Sequence, residues 1–285
     1  MDVKTIAVIG CGLMGSGITE VAARSGFDVV VREQDDEVRS RGMHRITASL
    51  NRAVSRGKMT AEELDATMGR ISSGVGLDDG LAAADLVIEA VTEDVKLKRV
   101  IFTRLETICP PHTILASNTS SISVMEMAAV TARPGQVMGM HFFNPVPVMP
   151  LLELVRTIDT SDETLAVARA VGERMGKTII VAKDSPGFIV NRLLIPYIID
   201  GIRVYEQGLA SKEDIDNGMK LGANHPMGPL TLADFVGLDT TLAVADVMFD
   251  ELGEARFKAP TLLRRMVTAG HLGRKSGRGF YDYTK

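Results

Sequence analysis

The chain has 285 residues, 45% of them hydrophobic and 24% charged, which is ordinary for a soluble globular protein and long enough for two domains. Its 32 basic residues nearly balance 36 acidic ones, which argues against a nucleic-acid or membrane-surface partner. Two cysteines, the lack of a basic-then-apolar leader and the lack of a membrane-length apolar run lead us to expect a reduced, cytoplasmic protein that crosses no membrane.

Short apolar runs alternate with amphipathic stretches over the first 183 residues, the pattern of βαβ units around a mostly parallel sheet. Strands are expected at 5–9, 28–33, 85–90, 113–117, 136–141, 151–157 and 178–182. Helices are expected at 13–25, 36–56, 61–69, 93–108, 123–129 and 162–175, the third opened by the capping-box pair Thr60 and Glu63. After the turn Asp184-Ser185-Pro186-Gly187 the apolar residues recur at helical spacing, so an all-helical domain is expected over 185–285. Its helices fall at 188–206, 212–221, 230–251 and 261–271, the first kinked at Pro196. The fold class is α/β.

The run Ile6-Ala7-Val8-Ile9 leads straight into Gly10-Cys11-Gly12-Leu13-Met14-Gly15, and a helix with Ile18, Val21 and Ala22 on its inner face follows. Strand, glycine turn and helix in this order form a dinucleotide fingerprint, in which backbone amides and a helix N-terminus receive the pyrophosphate. Glu33 ends the next strand, where an acid accepts hydrogen bonds from ribose hydroxyls. A carboxylate there repels a 2′-phosphate, so NAD is favoured over NADP, although Arg32 is placed to soften that preference. A flavin site and a turn without ligand stay open at this point.

Hydride chemistry on an alcohol needs a base, and histidine titrates in the right range. Of five histidines, His44, His112 and His271 fit solvated positions and His225 sits in a proline-rich loop that could line a cleft. His141 is the strongest candidate, at the end of the apolar strand Val137-Met138-Gly139-Met140 and ahead of Phe142-Phe143-Asn144-Pro145. Glu153 is the nearest carboxylate in sequence, but an acid between Leu152 and Leu154 more often faces solvent. Asn118-Thr119-Ser120-Ser121 follows a strand and offers either carbonyl donors or helix caps. Asn191, one turn into the second domain's first helix, is either a cleft residue or an interdomain hydrogen bond.

These segments, with Asp184-Ser185-Pro186-Gly187-Phe188-Ile189-Val190-Asn191-Arg192 and Pro226-Met227-Gly228-Pro229, resemble the short-chain L-3-hydroxyacyl-CoA dehydrogenases nearly end to end. Among these the bacterial 3-hydroxybutyryl-CoA dehydrogenases are the nearest in pattern. The resemblance implies a Rossmann-like domain over 1–184, a helical domain that forms a homodimer interface, and reversible NAD-dependent oxidation of (S)-3-hydroxyacyl-CoA. It implies that His141 is the general acid/base, that Glu153 pairs with it, and that Ser120 and Asn191 bind substrate near the reacting carbon. Ser120 is chosen over Ser121 by the family pattern. The resemblance further places Glu93, Lys98, Ser120, Asn144 and Lys275 at the nicotinamide half of the cofactor or its rim, Lys275 within Gly273-Arg274-Lys275-Ser276-Gly277. Arg52, Arg56 and Lys58, with Lys98 and Ser120, would meet the acyl-CoA. No metal is implied. Glu33 departs from the family's more frequent aspartate by one methylene. Two other readings are oxidation of a free hydroxy or sugar acid on the same fold, and a non-catalytic NADH-binding protein.

Overall fold

The structure, a computed structural model, describes residues 1–77 and 80–284. Contacts divide the chain into two units, Met1–Ser185 and the residues from Pro186 onward. The first unit runs β1 (Thr5–Ile9), α1 (Leu13–Arg24), β2 (Asp28–Glu33), α2 (Asp36–Ser55), α3 (Ala61–Gly69), β3 (Ile71–Val75), β4 (Leu86–Glu89), α4 (Val95–Ile108), β5 (Ile114–Ser117), α5 (Met125–Ala128), β6 (Val137–Phe142), β7 (Leu151–Arg156), α6 (Asp162–Arg174) and β8 (Thr178–Lys183). Its eight strands lie in the order β3-β2-β1-β4-β5-β6-β7-β8. All neighbours are parallel except β6 and β7, which are antiparallel.

The central strands are continuous apolar runs because helices cover both faces, and Val8, Val87, Leu115, Met138 and Leu154 are fully buried. The strand order reverses at β1, with β2 on one side and β4 on the other, which opens a crevice at the carboxyl ends of these strands. The expected capping box of α3 is present, Thr60 and Glu63 each accepting from the other's backbone N–H.

The structure corrects the expected elements in several places. Ile71-Ser72-Ser73-Gly74-Val75 forms β3, unforeseen because an edge strand needs little apolar side chain when β2 supplies its hydrogen bonds. The fourth helix starts at Val95, not 93, because the Asp94 carboxylate caps it by accepting from the Leu97 N–H at 3.0 Å. That shift leaves Glu93 in the preceding loop.

The second unit contains α7 (Val190–Glu206), α8 (Lys212–Asn217), α9 (Pro229–Val236), α10 (Leu238–Leu252) and α11 (Thr261–Thr268). The helix expected over 230–251 is two helices, because Gly237 adopts φ 101° and breaks the ladder between them. Helix α7 continues through Pro196, and its face with Ile195, Ile198, Ile199 and Ile202 packs with Leu238, Met248, Phe257 and Leu263. Buried Asp234 accepts from the N–H groups of Phe280 and Tyr281, each at 2.9 Å, and so ties the last residues to α9.

The turn between β1 and α1 depends on close approach. Gly10 has φ 96°, and a Cβ at Gly15 would lie 1.9 Å from the Gly10 carbonyl oxygen. A Cβ at Gly12 would meet nothing within 4 Å, and its φ of −68° suits any residue. Gly15→Ala should therefore lower stability by about 2–4 kcal/mol, whereas Gly12→Ala stays within about 0.5 kcal/mol of the parent. Urea unfolding followed by circular dichroism distinguishes the two, and equal effects would contradict this geometry.

Candidate active site

At the carboxyl end of β1, Gly10 turns the chain so that α1 begins over the crevice, capped by Gly12 with no side-chain partner for its first amides. Cys11 does not face the crevice. It is fully buried against Gly42 of α2, burial pushes its thiol up to about 11, and its N–H donates to Glu33 Oε2 at 2.7 Å. The other Glu33 oxygen accepts from the Gln34 N–H at 2.8 Å. Leu13 is exposed, while Met14 packs on the core. A cleft of about 430 Å³ is lined by Gly10, Gly12, Arg32, Glu33, Ala90 and Val91 among others. Open space at Gly12, uncapped amides and a carboxylate at the end of β2 together fit an adenosine and pyrophosphate.

On the other side of β1 the register aligns Ile9 with Glu89, Glu89 with Ser117, and Ser117 with Gly139. Residues in register share a face of the sheet. Glu89 is fully buried, and its carboxylate accepts from Ser117 Oγ (2.7 Å), Val91 N–H (2.7 Å) and Lys98 Nζ (2.7 and 2.9 Å). Lys98 is 1% exposed and also reaches Glu93 Oε2 at 3.2 Å. Glu93 Oε1 accepts from Thr119 Oγ1 at 2.5 Å and from the Ser120 N–H at 2.9 Å. Burial works against the Glu93 carboxylate, but the Lys98 ammonium and the hydrogen bonds from Thr119 and Ser120 hold its carboxyl below the usual range. Glu93, Lys98 and Ser120 thus come together at the ends of β4 and β5. Glu89 was not anticipated from sequence, nor that Ser117 and Thr119 donate to the carboxylates of Glu89 and Glu93. The available signal was Lys98 itself, a lysine on the same helical face as Ile101, Phe102 and Leu105.

His141 lies two residues beyond Gly139 on β6 and so on the same face. The antiparallel register sets it opposite Glu153, and Nδ1 lies 2.7 Å from Glu153 Oε2. His141 is 6% exposed and Glu153 is fully buried, contrary to the solvent-facing expectation for an acid between leucines. Asn118 Oδ1 accepts from the Phe142 N–H at 2.8 Å, the Phe143 ring lies 4.6 Å from the imidazole, and Lys177 Nζ donates to the carbonyls of Val146 and Met149. These contacts fix the connection from β6 to β7.

Asn144 is exposed on that connection and lines a groove of about 240 Å³ with His44, Arg45 and Arg52. Arg56 and Lys58 are exposed just past α2. Lys98 is the exception among the expected coenzyme A contacts, since its ammonium is enclosed by two carboxylates. Asn191 and Lys275 belong to the helical unit, Asn191 in the first turn of α7 and Lys275 with its Nζ 2.6 Å from Asp239 Oδ2. Among the described residues there is no group of three or more His, Cys, Asp or Glu side chains able to hold a metal ion, and no helix is long and apolar enough to cross a membrane.

Residues 5–185 match the NAD-binding domain of 3-hydroxyacyl-CoA dehydrogenase, and residues 187–283 match that family's C-terminal domain. Over 283 residues the chain is 48% identical to the 3-hydroxybutyryl-CoA dehydrogenase of Mycobacterium tuberculosis, covering 99% of each chain. It superposes on the crystal structure of FadB2 from the same organism with a TM-score of 0.97 at 48% identity, over 100% of both chains. On the (S)-3-hydroxybutyryl-CoA dehydrogenase PaaH1 of Ralstonia eutropha the TM-score is 0.95 at 46% identity, again over 100% of both. The glycine turn and the buried histidine–carboxylate pair thus sit in a chain that belongs to the 3-hydroxyacyl-CoA dehydrogenase family of NAD-dependent oxidoreductases.

Proposed function

We propose that the protein oxidises the 3-hydroxyl of an (S)-3-hydroxyacyl-CoA to the ketone, reversibly and with NAD, and that 3-hydroxybutyryl-CoA is its short-chain substrate. The observation that carries this reading is the buried His141–Glu153 pair on the sheet face that also bears Glu89 and Ser117, beyond the glycine turn. Neighbouring strands are about 4.8 Å apart, so β6 lies about 14 Å from β1. A dinucleotide anchored at Gly12, with its adenosine toward Glu33, therefore carries its other half over the ends of β4 and β5 toward His141. NAD, when bound, supplies the hydride acceptor.

His141 takes the hydroxyl proton on Nε2 while Nδ1, held against Glu153 Oε2, keeps the imidazole in one tautomer and orientation. The Glu153 carboxylate stabilises the imidazolium that results, and in the reducing direction the same proton returns to the substrate oxygen. Glu93 and Ser120, joined by the hydrogen bond to the Ser120 N–H, hold the nicotinamide half and the substrate carbonyl. Lys98 acts through Glu93, and Asn144 and Lys275 complete the cofactor rim. Asn191 binds the reacting oxygen. Arg52, Arg56 and Lys58, exposed cations on and beyond α2, meet the coenzyme A phosphates. Exposed Leu193, Leu209, Leu221 and Phe235 on the helical unit support a homodimer formed through that unit, and the two free cysteines, Cys11 and Cys109, suit the reducing cytoplasm.

His141→Gln should reduce kcat by about 10²–10⁴ while leaving the Kd for NADH within about twofold, and a variant with near-parental kcat would refute the assignment. Gly12→Ala, which leaves the fold intact, should weaken NADH binding by about tenfold or more by filling the space at the turn, as read by calorimetry. Saturable NADH oxidation with acetoacetyl-CoA but not with acetoacetate is expected, and equal use of the free acid would favour the hydroxy-acid reading.

A further inference from the structure

The ion cluster at the ends of β4 and β5 holds two carboxylates and one ammonium. A single carboxylate would suffice to pair Lys98, and a surplus charge at such a site costs stability unless something nearby compensates it. Every group touching the Glu89 oxygens is able to donate, and the Val91 N–H and the Lys98 ammonium can only donate. That is the environment of an ionised carboxylate. Glu93, 35% exposed, turns Oε2 toward Lys98 and Oε1 toward the loop 119–121. The cluster therefore carries one net negative charge, centred on the two strand ends between the glycine turn and His141.

We propose that Glu89, Lys98 and Glu93 form an electrostatic selector that shifts the cofactor preference toward the oxidised, cationic nicotinamide and away from the reduced, neutral one. The proposal rests on the reading that NAD lies across these strand ends. Glu89 has no exposed surface, so it acts through Lys98 and through its charge, not by touching the cofactor. Ser117, by contrast, contributes only a neutral hydrogen bond to Glu89, whose carboxylate Val91 and Lys98 also hold.

The test is a titration of the full-length chain with NAD+ and with NADH separately, by calorimetry and by NADH fluorescence, which no tryptophan obscures since the chain has none. Glu89→Gln keeps the shape and removes one charge. It should raise the Kd for NAD+ by about tenfold and change that for NADH by less than about twofold, as expected for a unit charge several ångströms away in a partly screened site. Ser117→Ala should leave the ratio of the two affinities unchanged. If Glu89→Gln does not fold, Glu93→Gln makes the same charge change at a partly exposed position and should shift the ratio in the same direction. Equal weakening of both cofactors by the charge variants, or a ratio shift by Ser117→Ala as large as theirs, would overturn the proposal. A parent chain that binds neither cofactor would instead overturn the reading on which it rests.

Discussion

The antiparallel pairing of β6 with β7 is the constraint on which the site depends. In a fully parallel continuation the strand after β6 would return through a helix and bring its residues up in the same direction. Reversal instead places Glu153 directly across from His141 and buries its carboxylate completely. A buried carboxylate is costly unless it is paired, and the imidazole 2.7 Å away is the partner that the register supplies. Loss of either member removes this pairing, at a cost of about 3–5 kcal/mol for a buried pair. Asn118 fastens the end of β6 to β5, and Lys177 clamps the carbonyls of Val146 and Met149 in the connection. The distance between the two functional side chains is thus set by main-chain register and not by side-chain flexibility.

Along the carboxyl ends of the strands, work is divided in the order the sheet imposes. Glu33 ends β2 and accepts from the turn's own Cys11 N–H, so this carboxylate and the glycine turn are held as one piece. Glu89 and Ser117 pair across β4 and β5, and His141 and Glu153 pair across β6 and β7. Both pairs sit on one sheet face. In our account hydride transfer moves a positive charge from above the first carboxylate group to the imidazole beside the second, so each state of the reaction has a fixed negative partner. Such partners cost no reorganisation during the reaction because the fold has already oriented them.

Much of this was legible in the sequence. The glycine turn, Glu33 and the helix after it form a contiguous pattern in which each residue type has one physical reason, and His141 stood out as a polar residue ending an apolar strand. Glu153 did not, since flanking leucines describe an edge strand facing water as well as they describe a buried one. Proximity in sequence pairs it with His141 only weakly and the family resemblance carries the pairing, because strand reversal has no local signature. The same limit hid Glu89, which reads as the polar end of a buried strand until Lys98 is seen on the apolar face of α4. β3 escaped because its serines and glycine lack alternation, and α9 merged with α10 because one glycine among helix formers is a weak stop signal until its positive φ is known.

The central claim, that Glu153 serves the reaction only through His141, is tested most directly by kcat for Glu153→Gln, His141→Gln and the double variant. If the pair works as one unit, the double variant retains the residual rate of His141→Gln within about threefold. Losses that multiply, with the double variant slower by the product of the two single effects, would show that Glu153 acts independently and would contradict the account.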